Sequence, residues 1–112
     1  MKSSKYKRYF LNLCKKYDLI VYDDDCGIET VFKNINIADN YVMAYQYDNP
    51  GYVKMAVSIE TDIDDNEICC YDNVTYNIDK QKKDLEYHLS CLYKQYQKAK
   101  EELKTNLIGK MF

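Results

Sequence analysis

Tyr52-Val53-Lys54-Met55-Ala56-Val57-Ser58-Ile59-Glu60 sets Val53, Met55, Val57 and Ile59 at every second position. Tyr52, Lys54, Ala56, Ser58 and Glu60 fall between them. Successive side chains of a strand point to opposite faces, so this stretch predicts a half-buried strand with one apolar face. Asn49-Pro50-Gly51 precedes it. Proline presets the first central φ of a turn and glycine accepts the positive φ of a type II second position, so a turn leads into this strand.

Working outward, period two recurs upstream. Residues 41–47 carry Tyr41, Met43, Tyr45 and Tyr47 on one face and Val42, Ala44 and Gln46 on the other. Residues 19–22 and 28–33 are rich in β-formers and flank the turn-like Asp23-Asp24-Asp25-Cys26-Gly27, which predicts a hairpin. Residues 34–40 read as a loop. Downstream, 61–66 form an acidic loop, and 67–71 and 74–76 read as one or two short strands around Asp72-Asn73.

The two ends switch to helical period. In 4–17, Tyr6, Phe10, Leu13 and Tyr17 recur at four, three and four, with Lys5, Lys7, Arg8, Lys15 and Lys16 mostly elsewhere. This predicts an amphipathic helix with a basic outer side, capped by Ser3 or Ser4. In 79–108, Leu85, Leu89, Leu92, Tyr96, Ala99, Leu103 and Leu107 (or Asn106) repeat at alternating four and three. Asn77 or Asp79 is the expected cap and Gly109 the expected stop. Such a helix spans roughly 45 Å, longer than a small domain is wide.

The predicted fold class is therefore α+β. A basic helix over 4–17, a four- to six-stranded antiparallel sheet over 19–77 and a long helix over 79–108 make one domain, 1–112. Short links between consecutive strands favour antiparallel neighbours, and the simplest packing lays both helices on one face of the sheet. With 112 residues, a second packed domain is not expected.

The net charge of −2 hides a segregated layout. Residues 1–17 sum to +6, residues 18–79 to −12 and residues 80–112 to +4. The middle segment contains fourteen acids against Lys33 and Lys54 alone. Its acids concentrate at Asp23, Asp24 and Asp25 and again at Glu60, Asp62, Asp64, Asp65 and Glu67. These eight are the candidate partner-binding residues, because uncompensated carboxylates attract a basic surface. A helix of Lys and Arg with Tyr6, Tyr9 and Tyr17 instead suits phosphate contact and base stacking.

Enzyme templates are not met. Asp62-Ile63-Asp64-Asp65-Asn66-Glu67 begins like a calcium loop, but Glu67 stands where the sharp turn needs glycine. Cys69, Cys70, His88 and Cys91 are soft ligands without a C-x2-C pair, so no zinc site is expected. His88 lies four residues after Asp84 and three before Cys91, and the expected role is a structural histidine paired with Asp84. With only 3 Gly there is no phosphate-cradling loop. No metal, cofactor or catalytic residue is expected.

Five cysteines without a framework, and no export signal, point to free thiols in a reducing cytosol. No apolar run approaches the roughly 18–20 residues of a membrane span, so no membrane partner is expected. Tyr 13 against Trp 0, with frequent Asn, Ile and Lys, resembles the output of an AT-rich genome, such as a low-GC bacterium, its mobile elements or a virus. In charge layout and size the chain resembles phage-encoded inhibitors such as anti-CRISPR proteins, and bacterial immunity proteins, with no shared motif. The expectation is a small cytoplasmic inhibitor (in the host cytoplasm if phage-encoded). It would set an acidic surface against a basic protein partner, for instance a nucleic-acid-binding enzyme. The alternative is a nucleic-acid-binding or regulatory protein acting through its basic helices. A homodimer through the long helix, over 99–107, belongs to that expectation.

Overall fold

A computed structural model of the chain describes residues 2–35 and 40–111, with side chains over 5–35 and 40–105. In chain order it contains α1 (Lys2–Lys16), β1 (Ile20–Asp23), β2 (Gly27–Val31), β3 (Met43–Gln46), β4 (Tyr52–Asp62), β5 (Glu67–Asn77) and α2 (Ile78–Met111). The strands form one antiparallel meander in sequence order. This is the α+β class that the periodicities predict, with five strands.

Both helices cover the same face. Cross-strand register puts Ile28 beside Tyr45, and Thr30 in a row with Met43, Met55 and Val74. Phe10 of α1 packs its ring 5.6 Å from that of Tyr45. Leu85, Leu89 and Leu92 of α2 are fully buried in the same core. At one end Tyr17, Phe32, Tyr93 and Tyr96 form an aromatic cluster, with Phe32 stacked on Tyr96 at 4.5 Å. Thr30 is the buried polar exception, and its Oγ1 both donates to the Met43 carbonyl at 2.9 Å and accepts from the Met43 N–H at 3.2 Å. A buried hydroxyl satisfied twice carries little desolvation penalty.

α1 starts at Lys2, so Ser3 and Ser4 lie within its first turn, and their side chains fall outside the described ones. Asn77 caps α2: its Oδ1 accepts from the Lys80 N–H at 3.0 Å, and the Asn77 N–H donates to Gln81 Oε1 at 2.9 Å. Gln81 pays for that reach with non-helical dihedrals of φ −127° and ψ 25°. Gly51 takes φ 90° in the turn before β4, as a type II second position requires. Gly109 does not stop α2, which continues to Met111. A helical glycine costs only about 1 kcal/mol relative to alanine, which does not by itself end a helix.

Three other expectations change. β3 is shorter than 41–47, since Tyr41 and Val42 lie outside the ladder. β5 is a single strand of 11 residues, one of the two alternatives expected but longer than the short strands foreseen, with Asp72 at φ 58° within it. Opposite Asp72, Val57 is the one residue between Tyr52 and Asp62 with no partner in the β4–β5 ladder. The alternation of β4 fails there: Ala56 is buried and Val57 is 44% exposed. The predicted loop 34–40 falls partly on 36–39, outside the described residues.

The interruption is filled by α2. His88 Nε2 donates to the Val57 carbonyl at 3.0 Å, Gln95 Oε1 accepts from the Ile59 N–H at 2.8 Å, and Thr61 Oγ1 donates to Glu102 at 2.9 Å. Every seventh residue of α2 thus meets every second residue of β4, beyond the point where β3 ends. This accounts for α2 as far as Glu102, where it continues the cover of β4 past the short strands. The helix packing continues to Ala99, which is buried in the chain's own core, with Leu103 partly buried against it.

Candidate functional site

A four-turn meander places its first and third turns at one end of the sheet and its second and fourth at the other. The β1–β2 turn with Asp23, Asp24 and Asp25 therefore shares an end with the β3–β4 turn and the start of α2. The β4–β5 hairpin tip with Glu60, Asp62, Asp64, Asp65 and Glu67 lies at the opposite end. The structure does not unite the eight candidate acids in one surface.

Several of them have local work. Asp24 Oδ1 accepts from the N–H groups of Cys26 at 2.8 Å and Gly27 at 3.0 Å, closing the turn. Asp62 Oδ1 accepts from the Asp65 N–H at 3.1 Å and shapes the hairpin tip. Asp23 accepts from the Tyr47 hydroxyl. Asp25, Glu60, Asp64, Asp65 and Glu67 are exposed. Among the described residues the one ion pair is Lys98–Glu102 at 4.0 Å, so no base neutralises these carboxylates by direct contact.

The uncovered sheet face supplies what the candidate set lacked. One cross-strand row runs Tyr22, Glu29, Ala44, Lys54 and Thr75, one residue from each strand. Ala44 sits between two long side chains, and its methyl leaves a floor. The resulting groove, of about 600 Å³, is lined by Asp24, Asp25, Cys26, Glu29, Tyr41, Gln46, Asp48 and Lys54, among others. Four carboxylates thus surround the groove against one lysine. Burial, with a smaller contribution from nearby Glu29, raises the pKa of Tyr41, so this ring enters the wall as a neutral phenol. Glu29 and Asp48 were not among the sequence candidates. Their signal was available: Glu29 is the polar position within an otherwise buried β2, and Asp48 is the acid beside the Pro50-Gly51 turn.

Asp84, His88 and Cys91 line one pocket together with Tyr76 and Tyr87. His88 pairs with the Tyr76 hydroxyl through Nδ1 at 2.8 Å and with the Val57 carbonyl through Nε2, and not with Asp84. A carbonyl only accepts, so Nε2 carries a hydrogen and donates it to Val57. No group of three or more His, Cys, Asp or Glu side chains suited to a metal ion occurs among the described residues. The two acidic clusters lie at opposite ends of the sheet.

All five cysteines are free thiols. Burial pushes the Cys14 and Cys70 thiols up to about 12 from 9.0. Below the unfolded value the thiols are neutral in both states and stability is intact. As pH rises from 9 towards 12 the unfolded chain ionises first, so stability falls. The half-buried phenol of Tyr9 shifts in the same direction. The urea midpoint is therefore expected to decline steadily across that window. Near neutral pH, iodoacetamide should modify exposed Cys26 and spare Cys14 and Cys70 until the chain unfolds. Mass spectrometry showing early labelling of Cys14 or Cys70 would contradict the placement of both.

No family model, no curated protein and no solved structure matches the chain. No helix among the described residues is long and apolar enough to cross a membrane.

Proposed function

We propose that the chain is a non-catalytic binding protein whose acidic groove on the uncovered sheet face receives a basic segment of a partner protein. Blocking a basic site on a nucleic-acid-binding enzyme, as an inhibitor would, is the use that suits this chemistry. The observation that carries the reading is the groove itself: Asp24, Asp25, Glu29 and Asp48 around a floor made by Ala44, with Lys54 the only base. Arginine fits such a site well, since its planar fork pairs with carboxylates and its stem and face pack on Tyr41. The rival use, phosphate and base contact through α1, has less behind it. Tyr6 donates to Asp79, Tyr9 donates to Glu86 at 2.7 Å, and Tyr17 packs 5.3 Å from Tyr93. These rings tie α1 to α2 and are not set out as a stacking platform.

The test uses a fluorescent arginine-rich peptide and anisotropy at low salt. Glu29→Gln combined with Asp48→Asn is expected to weaken binding at least about tenfold, in line with charge-assisted hydrogen bonds. Asp64→Asn with Asp65→Asn, at the far hairpin tip, should change it little. Equal binding by the groove variant, or a loss confined to the tip variant, would move the site away from the groove.

A further inference from the structure

The two edges of the sheet are treated differently. On β5, the Asn40 amide donates to the Cys70 carbonyl at 3.2 Å and the Asp72 carbonyl at 3.4 Å. On β4, His88 and Gln95 cover the backbone beyond β3. β1 has no such cover. The Asp24 N–H bonds to the Gly27 carbonyl at 2.9 Å, and bonding alternates along an antiparallel ladder. Tyr22 and Ile20 therefore turn their backbone groups towards β2, and Val21 and Asp23 turn theirs outward. Among the described residues no hydrogen bond reaches those outward groups. All four β1 residues are exposed, Tyr22 by 49%, and the strand carries neither proline nor lysine to blunt its edge.

Beside this edge lies a groove of about 680 Å³ between α1 and β1. Leu11, Leu19 and Val21 are among its apolar lining residues, and Lys7, Arg8 and Lys15 line it too, with Asp18 the one acid among its described lining residues. This is a second surface, separate from the acidic groove and opposite to it in charge. We propose that β1 is a docking edge for an extended acidic segment of a partner protein, which adds as a sixth strand. Its backbone would pair with Val21 and Asp23, and carboxylates on its helix-side face would meet Lys7, Arg8 and Lys15. Backbone bonds supply affinity in this mode and alternate side chains supply selectivity. A second copy of the chain is disfavoured as occupant. Two β1 edges paired about a two-fold axis would bring two basic α1 helices side by side.

The experiment uses a labelled peptide of alternating glutamate and valine, and the same peptide with lysine in place of glutamate. Anisotropy is expected to show binding of the glutamate peptide alone. Hydrogen exchange is expected to show new protection at the Val21 and Asp23 amides. Val21→Pro removes an outward N–H and exchanges one apolar lining side chain for another, at an edge position where proline is tolerated, and should weaken binding at least tenfold without lowering the melting temperature. Arg8→Glu with Lys15→Glu, both exposed on α1, should weaken it equally and provides a variant that leaves the strand untouched. Equal affinity for the lysine peptide, protection elsewhere, or full binding by both variants would overturn the proposal. Dimerisation by sedimentation that Val21→Pro abolishes would also overturn it, in favour of a second copy.

Discussion

Leu89→Ala is expected to destabilise the fold by about 2–5 kcal/mol. Leu89 lies at the middle of the α2 stripe, is wholly inaccessible to solvent and belongs to the one core cluster shared by both helices and the sheet. Truncation removes the transfer free energy of three carbons and leaves a cavity that rigid neighbours do not close. The sheet beneath is held by ladder bonds and cannot collapse far. A small domain holds only about 5–15 kcal/mol in total, so the variant loses a large share. Its urea midpoint, followed by far-ultraviolet circular dichroism, should fall markedly. Leu103→Ala supplies the contrast, because Leu103 only fringes the core and should cost well under half as much. A Leu89→Ala midpoint equal to that of Leu103→Ala would mean that α2 does not lie on the sheet as described.

Much of this core was legible in the sequence because period alone places it. The stripe Leu85, Leu89, Leu92, Tyr96 and Ala99 is buried as its spacing predicts. Val53, Met55 and Ile59 are buried too, yet Val57 is not. The reason is long-range. Asp72, at positive φ, breaks the ladder opposite Val57, and His88 from a helix thirty-one residues away takes the freed carbonyl. Nothing local to Val57 announces this. The same holds for His88, which has Asp84 one helical turn before it in sequence but whose partners come from two strands.

The site was legible in part. Counting acids located both clusters, but grouping them assumed that their loops lie together. A meander alternates its turns between ends, so the first turn and the fourth cannot share one. That constraint follows from the strand order alone. The groove needed register as well: only when Glu29, Ala44 and Lys54 are seen in one row does the small residue between two charged ones become a floor. The open β1 edge needed the phase of its ladder, which the turn bond between Asp24 and Gly27 fixes.

Gly27→Ala is the second large effect expected, and it arises from crowding. Gly27 pairs with Gln46 where β2 leaves the Asp24 turn, and a Cβ there would stand 2.2 Å from the Tyr45 carbonyl oxygen and 3.1 Å from the Gln46 Cα. Both are backbone atoms, so no side-chain rotation relieves the contact. β2 and β3 must separate at this point, which costs the Tyr47 N–H bond to the Cys26 carbonyl and strains the Asp24 turn. Overpacking in a tight core typically costs about 1–3 kcal/mol and occasionally more, and the rigid partner places this case at the upper end. The damage should be uneven. β1 and β2 are held to the rest of the sheet through β3, whereas β4, β5 and α2 hold each other through their own ladder and side-chain bonds. Hydrogen exchange is therefore expected to show amides of 20–31 exchanging far faster in Gly27→Ala, with those of 85–96 changed much less. Uniform acceleration across the chain would show instead that the sheet and α2 unfold as one unit. Unchanged exchange over 20–31 would show that β3 does not run against Gly27. Since β1 carries the proposed docking edge and the Asp24 turn borders the acidic groove, this variant should also weaken both peptide-binding activities together, which neither set of charge variants does.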